Sequence, residues 1–339
     1  MNRLLLGQLK ILNGKDNSIN NVNGEAFMEN LSLNWHECEA KRIYEILNEG
    51  SNLDLIQLVE VNLSVLIQLI DSLHKDEICF DEFDIWMEPL LIKFCFHSAT
   101  LIEIIKGVNL PNGNRPIAIF DEPSLIAISR IILENYLTWN YLYINPKDKE
   151  QSVFRNAIWQ YSALLQRSDF KATIEYAKNK RQFEIGQIKR LREIIENSTY
   201  WYSYTDKQKQ QILKGKKPRL FFSWQDLIAN SELNKDLLED VYSYKSSYAH
   251  SEFLSVMQIK QGGFEFNKES RKSKHHIEIH LALISKIILD LESMFPTIQN
   301  RLFSMPKAKG FELRFLPMFL FPSYVEKLSL FVEKVNTNP

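Results

Sequence analysis

The chain is poor in residues that form turns or cross-links, and these shortages exclude several protein classes. Of its 339 residues, 11 are Gly and 11 are Pro, well below the usual combined share of roughly 12%. This scarcity favours long helices over many short strands. The three cysteines, Cys38, Cys79 and Cys95, include no Cys-x-x-Cys pair, so neither a disulfide framework nor a thiolate zinc site is indicated. A reducing cytoplasm is the expected location.

The sequence also lacks an excess of one charge and a long hydrophobic run. Lys and Arg number 41 and Asp and Glu number 42, so the chain as a whole does not attract nucleic acid or an anionic membrane. The apolar stretch at residues 315–324 contains two prolines and has half of the roughly twenty residues that a spanning helix needs. We predict no membrane partner, and any basic binding site must be local.

Apolar residues recur at helical spacing through most of the chain. The pattern predicts helices near residues 34–48, 53–73, 86–105, 124–143, 148–167, 171–197, 234–250, 275–294 and 322–335. Residues 108–123 read as a loop after a helix that ends at Gly107, and short extended pieces are expected at 254–266 and 311–320. The predicted fold is a mainly α multi-helix bundle with few or no strands. Its predicted regions are residues 1–84, 85–255 with a basic connector at 200–224, and 256–339.

Arg130 and Glu134 are four residues apart on the most hydrophobic predicted helix, so they share one face. An unpaired charge there would be costly, and the two side chains can form a structural pair with each other or with a neighbouring helix. Alternatively, they line a polar cavity of the bundle, which Arg155 on the next helix can also reach. The spacing alone leaves both interpretations open.

His250 lies in a segment rich in hydroxyl groups, Tyr242-Ser-Tyr-Lys-Ser-Ser-Tyr-Ala-His250. On an ideal helix several serines share its face and can orient a neutral imidazole, an environment that suits a general acid or base. A packing histidine is the alternative. A serine hydrolase is disfavoured, because no acidic triad partner and no Gly-x-Ser-x-Gly turn are present.

His276 and His280 are four residues apart, which is metal-ligand spacing on a helix. Glu278 points away from both, and the sequence offers no obvious third ligand, so no metal site is predicted. Gly215-Lys216 lacks the upstream glycine of a phosphate-binding loop. We therefore predict no cofactor.

The connector at residues 200–224 combines basic and aromatic side chains. Basic residues attract phosphates and aromatic rings stack on unpaired bases, so this composition suits single-stranded RNA or DNA. A solvated lysine loop whose aromatic rings pack inward is the alternative. The candidate nucleic-acid-binding residues are Lys207, Lys209, Lys214, Lys216, Lys217 and Arg219.

The order of these features resembles a group of bacterial helical proteins that are similar to the HEPN superfamily. The resemblance covers about residues 85–255. It is carried by short motifs: His97 on a helix ending at Gly107, Ser129-Arg130-Ile-Ile-Leu-Glu134, Phe154-Arg155 with Trp159 and Tyr161, and Tyr244-x-x-Ser247-x-x-His250.

This resemblance implies a HEPN-like helical core, often a homodimer, and ribonuclease activity in a toxin or antiviral defence system. The family motif is an Arg followed after four to six residues by a His. His250 matches the His, but the Arg position holds Lys245, Tyr244 or Ser243, and lysine lacks the planar bidentate geometry of a guanidinium. In the active version, a metal-independent ribonuclease, His250 is the general acid or base, Lys245 stabilises the phosphorane charge and Ser247 orients the ring.

The leading hypothesis is thus a cytoplasmic RNA-directed effector that binds RNA and a protein partner from the same system. The alternative is a non-catalytic interaction or sensor protein. In that version Arg130, Glu134 and Arg155 hold the bundle together and the aromatic connector docks a partner.

Overall fold

A computed structural model describes residues 35–75, 81–110, 117–119, 121–171, 173–249, 253, 256–257, 271–321, 323–324 and 328–332. Most of these residues are helical, which confirms the mainly α prediction. The helices of six or more residues are α1 Trp35–Glu49, α2 Asn52–Lys75, α3 Met87–Lys106, α4 Glu122–Trp139, α5 Lys149–Ser168, α6 Glu175–Asn197, α7 Asp206–Leu213, α8 Trp224–Ala229, α9 Lys235–Ala249, α10 Arg271–Met294, α11 Pro296–Phe303 and α12 Lys307–Phe315.

Shorter helical turns connect some of these helices. They are the 3-10 turns Asp84–Trp86, Thr199–Ser203 and Leu316–Phe319, and the π-helical turn Asn140–Ile144 that follows α4 directly. The prediction of an extended piece at 311–320 is wrong, because residues 311–315 belong to α12 and residues 316–319 form a 3-10 turn. The piece expected at 254–266 lies almost wholly outside the described residues.

The stretch predicted as a loop after α3 contains a small antiparallel ribbon. Strand β1, Val108–Leu110, pairs with β2, Ile117–Ile119, in a register that sets Val108 opposite Ile119. Gly107 ends the preceding helix with φ +92°, the left-handed cap conformation that glycine adopts without strain. A third strand, β3, spans Pro218–Phe221. Strands of three or four residues give weak sequence signals, which is why the ribbon was missed.

The chain divides into two compact units that do not follow the three predicted regions. The first unit comprises residues 1–78, 92–136 and 232–339, and the second comprises 79–91 and 137–231. The cause is the packing of α10 against α2, which joins the predicted N-terminal and C-terminal regions in one core.

Helix α10 forms the centre of the first unit. Every residue from Ile279 to Leu291 is buried, and the helix packs against α2, α11, α12 and the turn Leu316–Phe319. Helices that are buried on all sides belong to the interior of a bundle. The sequence predicted that α4 would lie in the middle of the bundle. Helix α4 is also largely buried, but it exposes Ile131.

Helices α5 and α6 pack against each other in the second unit, and α5 also contacts β3 and α7. Asp148 caps α5 by accepting a hydrogen bond from the backbone N–H of Gln151 at 2.8 Å. Only Glu184, Leu191 and Ile195 of α6 are buried, so most of this charged helix faces solvent.

Two segments, Asn52–Leu73 and Asp84–Lys106, are long and apolar enough to cross a membrane by length and composition. Within an 18-residue window of each segment, 56% and 44% of the residues are buried. Core helices of water-soluble proteins have the same length and composition, so this finding does not define a membrane protein.

Candidate functional site

Lys245 on α9 lies in the core of the first unit with 0% of its surface exposed. Its Nζ donates a hydrogen bond to Oγ of Ser129 on α4 at 2.5 Å. Among the described residues, no carboxylate forms an ion pair with Lys245. Burial alone lowers the pKa of Lys245 to about 7, because the ammonium loses its hydration without gaining a counter-charge. The side chain therefore exchanges its proton near neutral pH.

Two histidines of α10 complete this buried basic cluster, defined here as Ser129, Lys245, His276 and His280. Oγ of Ser129 lies 3.2 Å from Nδ1 of His276. Neither ring nitrogen of His280 has a hydrogen-bond partner among the described residues, and its ring lies 5.6 Å from that of Phe94. Burial, helped by the nearby charge of Lys245, lowers the pKa of His276 to about 2 and of His280 to about 3. Both imidazoles are neutral at physiological pH.

The chemistry of the buried basic cluster is limited by access. A neutral amine at Lys245 can accept a proton from the hydroxyl of Ser129, as a general base does for a nucleophile. However, Ser129 is only 4% exposed and Lys245 is fully enclosed, so a polymer cannot reach either group. The described residues contain no group of three His, Cys, Asp or Glu side chains that could hold a metal ion.

Arg130 and Glu134 form the predicted pair on α4, with Nε of Arg130 donating to Oε1 of Glu134 at 2.8 Å. Tyr242 of α9 closes the arrangement. It accepts a hydrogen bond from Nη2 of Arg130 at 3.0 Å and donates one to Glu134 at 2.9 Å, and the guanidinium carbon lies 5.1 Å from its ring centre. Burial and the Glu134 charge raise the pKa of Tyr242 to about 12. The group therefore holds α4 to α9 through satisfied polar contacts.

Arg155 has a separate set of partners in the second unit. Its Nη1 donates to the carbonyl of Tyr141 at 2.8 Å and to Oδ1 of Asn145 at 3.2 Å. The guanidinium also stacks 4.5 Å above the ring of Tyr141. Burial lowers the pKa of Arg155. Within the first unit Arg130 pairs with Glu134, and Arg155 is held by Tyr141 and Asn145 of its own unit.

The predicted catalytic residues are only partly described. His250 lies outside the described residues, and so does the side chain of Ser247. Tyr244 is half-buried. Lys245, which was expected to face the transferred phosphate, instead lies inward against Ser129. A side chain on a helix projects from one face of that helix. The side chain of Lys245 projects into the core.

The basic connector folds into the turn Thr199–Ser203, helix α7 and strand β3. Thr205 and Gln208 form a reciprocal capping box at the start of α7, which orders the segment locally. Lys207, Lys214 and Lys216 are exposed, whereas Lys209, Lys217 and Arg219 are half-buried. The connector is thus a structured surface with free lysines along it.

Several cations of the connector lie over aromatic rings. Nζ of Lys209 is 5.5 Å from the ring centre of Trp201 and 5.7 Å from that of Tyr202. The guanidinium of Arg219 stacks 3.7 Å above Trp224. Such contacts hold cations beside ring faces. Trp201 is buried, but Tyr202 is 74% exposed, so its ring is open to a ligand.

Other rings of the connector pack inward, as the alternative interpretation predicted. Tyr200 and Tyr204 both stack on Phe154 with centroid distances of 6.1 Å. Tyr200 also donates a hydrogen bond to Asp148 at 2.6 Å. The aromatic residues of the connector therefore include packing residues such as Tyr200 and Tyr204 as well as the exposed ring of Tyr202.

Positive charge is concentrated in the second unit, a property that the balanced total conceals. Residues 137–231 contain 17 Lys and Arg against 9 Asp and Glu. Residues 79–91 of the same unit add four acidic residues. Two of these, Asp81 and Asp84, bind Lys149, and Glu82 binds Arg190. The exposed lysines of the connector, Lys207, Lys214 and Lys216, thus belong to a unit with an excess of positive charge.

Comparison of the chain with family models, with curated proteins and with solved structures finds no match. The site must be interpreted from its own geometry.

Proposed function

We propose that the protein binds single-stranded RNA through the basic connector of its second unit. The observation that carries this proposal is the combination of exposed lysines, Lys207, Lys214 and Lys216, with the exposed ring of Tyr202. Lysines supply sequence-independent attraction to phosphates, and an open ring supplies stacking for an unpaired base. Such a surface prefers a single strand, because the bases of a duplex are already stacked.

The setting follows from the HEPN resemblance and is proposed with it. The protein would act in the bacterial cytoplasm as an RNA-directed effector of a defence or toxin system, together with a protein partner from that system. In this scheme the connector holds the RNA, and the ribonuclease version assigns cleavage to His250.

A non-catalytic role for the first unit is the second candidate function. It is favoured by the complete burial of Lys245 and by the closed group of Arg130, Glu134 and Tyr242. Both arrangements hold helices together: Lys245 is fully enclosed, and the side chains of Arg130 and Glu134 are only 14% and 23% exposed. The protein then binds RNA without cutting it.

Binding and cleavage are tested in one experiment with labelled single-stranded RNA. Fluorescence anisotropy of a fluorescein-labelled oligouridylate measures binding, and a denaturing gel of the same mixture measures cleavage. We expect saturable binding that weakens steeply with added salt. RNA fragments that disappear in His250→Ala, with an unchanged thermal melt, support the ribonuclease. Saturable binding with intact RNA supports the non-catalytic version, and no binding at low salt refutes the proposal.

A further inference from the structure

The start of α6 and the segment before it carry large apolar side chains in solvent. Tyr176 is 73% exposed and Phe183 is 68% exposed, and Phe170, Ile174 and Ile185 are exposed as well. Folded proteins rarely expose several large apolar residues together unless the surface binds something. None of these residues belongs to the connector described above.

The spacing on α6 arranges these side chains in a row. Tyr176, Lys180 and Phe183 are separated by four and three residues, so they lie on one face of the helix. The two rings are about 10 Å apart along the axis, at about 1.5 Å per residue. Gly186 continues this open side, because a side chain built there would meet nothing within 4 Å. The row alternates ring, cation and ring.

The charge around the row identifies the kind of ligand. Lys180 is exposed and Arg181 is half-buried. Exposed Lys178 pairs with Glu175 at 3.6 Å, and the acidic Glu184 is occupied by Arg167 at 3.3 Å. An anionic partner with flat apolar groups matches rings that alternate with a cation. Bases stacked on each other are about 3.4 Å apart, so rings about 10 Å apart suit a strand whose bases are splayed.

The row and the connector border the same helix of the second unit. The hydroxyl of Tyr161 on α5 donates to the carbonyl of Leu213 at 2.8 Å, and Nε2 of Gln166 donates to that of Gly215 at 3.2 Å. Residues 213–215 therefore lie along the C-terminal half of α5. The end of α5 also meets α6 through Arg167 and Glu184. One strand can run from the connector past the end of α5 to α6.

We propose that Tyr176 and Phe183 stack on two bases of the same single-stranded RNA that the connector binds, and that Lys180 neutralises a phosphate between them. This inference rests on the proposed RNA binding. It adds a second contact surface for the RNA. Tight binding therefore requires an RNA that is long enough to reach both surfaces. A strand that is too short to leave the connector gains nothing from α6.

The test compares oligouridylates of about 6 and about 20 nucleotides, because single-strand binders usually cover about 4–16 nucleotides. For the wild-type protein we expect tighter binding of the long RNA. The double variant Tyr176→Ser and Phe183→Ser should lose at least about tenfold in affinity for the long RNA and little for the short one. Tyr176→Phe with Phe183→Tyr keeps both rings and should retain wild-type affinity.

A matched control removes two equally exposed apolar side chains from the first unit, Leu53→Ser and Phe96→Ser. It should leave both affinities unchanged. If wild type binds RNA and connector variants lose binding but the α6 variant binds the long RNA as well as wild type, this inference is wrong and RNA binding stands. If wild type binds no RNA, both proposals fail. Loss of binding to phosphatidylserine vesicles in the α6 variant, with RNA affinity retained, assigns the row to a membrane and overturns the inference.

Discussion

Lys245 donates a hydrogen bond to Ser129 across 2.5 Å inside a helical core, and no carboxylate pairs with it among the described residues. Another buried lysine of the same unit, Lys286, lies against Asp290. The two lysines are equally enclosed but differ in counter-charge. This contrast yields opposite expectations for the same substitution, because removing an uncompensated charge and breaking a buried ion pair affect the free energy of unfolding in opposite directions.

The first prediction is that Lys245→Met stabilises the protein at neutral pH. We expect a rise of at least about 2 °C in melting temperature, the shift that about 1 kcal/mol gives in a domain of about 200 residues. The pKa of Lys245 is lowered from its usual 10.5 to about 7 in the fold. Wild-type stability is therefore highest at pH values above 10.5, the pKa of this lysine in the unfolded chain, and is lost as the pH falls towards 7.

The gain in the free energy of unfolding of Lys245→Met over wild type should therefore be largest near about pH 6 and smaller near about pH 9. Calorimetry at both values measures it. The matched control is Lys286→Met, which deprives buried Asp290 of its lysine and should cost about 3–5 kcal/mol. A gap between wild type and Lys245→Met that does not change with pH would show that the buried amine does not titrate as described.

The second prediction concerns the acid side of the stability profile. His280 has a pKa of about 3 in the fold, below the ordinary value near 6.5, so between these values the unfolded chain binds a proton that the folded protein does not. Stability is complete above 6.5 and falls as the pH decreases. From about pH 6.5 to about pH 5 the loss is about 2 kcal/mol for one such histidine.

Urea denaturation across this range measures the loss in wild type and in His280→Phe, which cannot titrate. The window is chosen because carboxylates with ordinary pKa values change little above pH 5. We expect a flatter profile in the variant. Identical slopes in the two proteins would contradict a neutral buried His280.

The third prediction is that Arg130→Ala destabilises the first unit by about 1–3 kcal/mol, because hydrogen bonds to charged groups contribute amounts of this order. Glu134 and Tyr242 both lose the guanidinium. Chemical denaturation of Arg130→Ala, Glu134→Gln and the double variant gives the coupling energy between the two side chains. Additive effects would mean that the observed pair contributes nothing, and RNA affinity should remain unchanged in all three proteins.

The fourth prediction is a change in salt dependence. Each lysine that neutralises a phosphate of a single strand contributes about 0.7 to the slope of log affinity against log salt. Lys214→Ala with Lys216→Ala should therefore reduce this slope by about 1.4. Titrations at several salt concentrations measure the slope, and an unchanged slope would place these two lysines away from the RNA.

The sequence predicted the long helices well because their apolar spacing records burial directly. The separation of four residues placed Arg130 and Glu134 on one face and left a structural pair and a polar cavity open; the structure has the two side chains paired. It could not place Tyr242 in that pair or Ser129 beside Lys245, since these contacts join α4 to α9 across more than 100 residues. The spacing of His276 and His280 indicated that they share one helix face. Only the tertiary fold brings Lys245 close to them. The positive second unit was hidden by an almost neutral total charge.

The most direct test of RNA binding is the affinity for a single-stranded oligouridylate of wild type and of Lys214→Glu with Lys216→Glu. The matched control, Lys235→Glu with Lys307→Glu, makes the same charge change at two exposed lysines of the first unit. We predict that the connector variant loses at least about tenfold in affinity, since each reversal removes an attraction and adds a repulsion, while the control binds as wild type does. Equal losses in both variants, or none in either, would contradict an RNA surface on the connector.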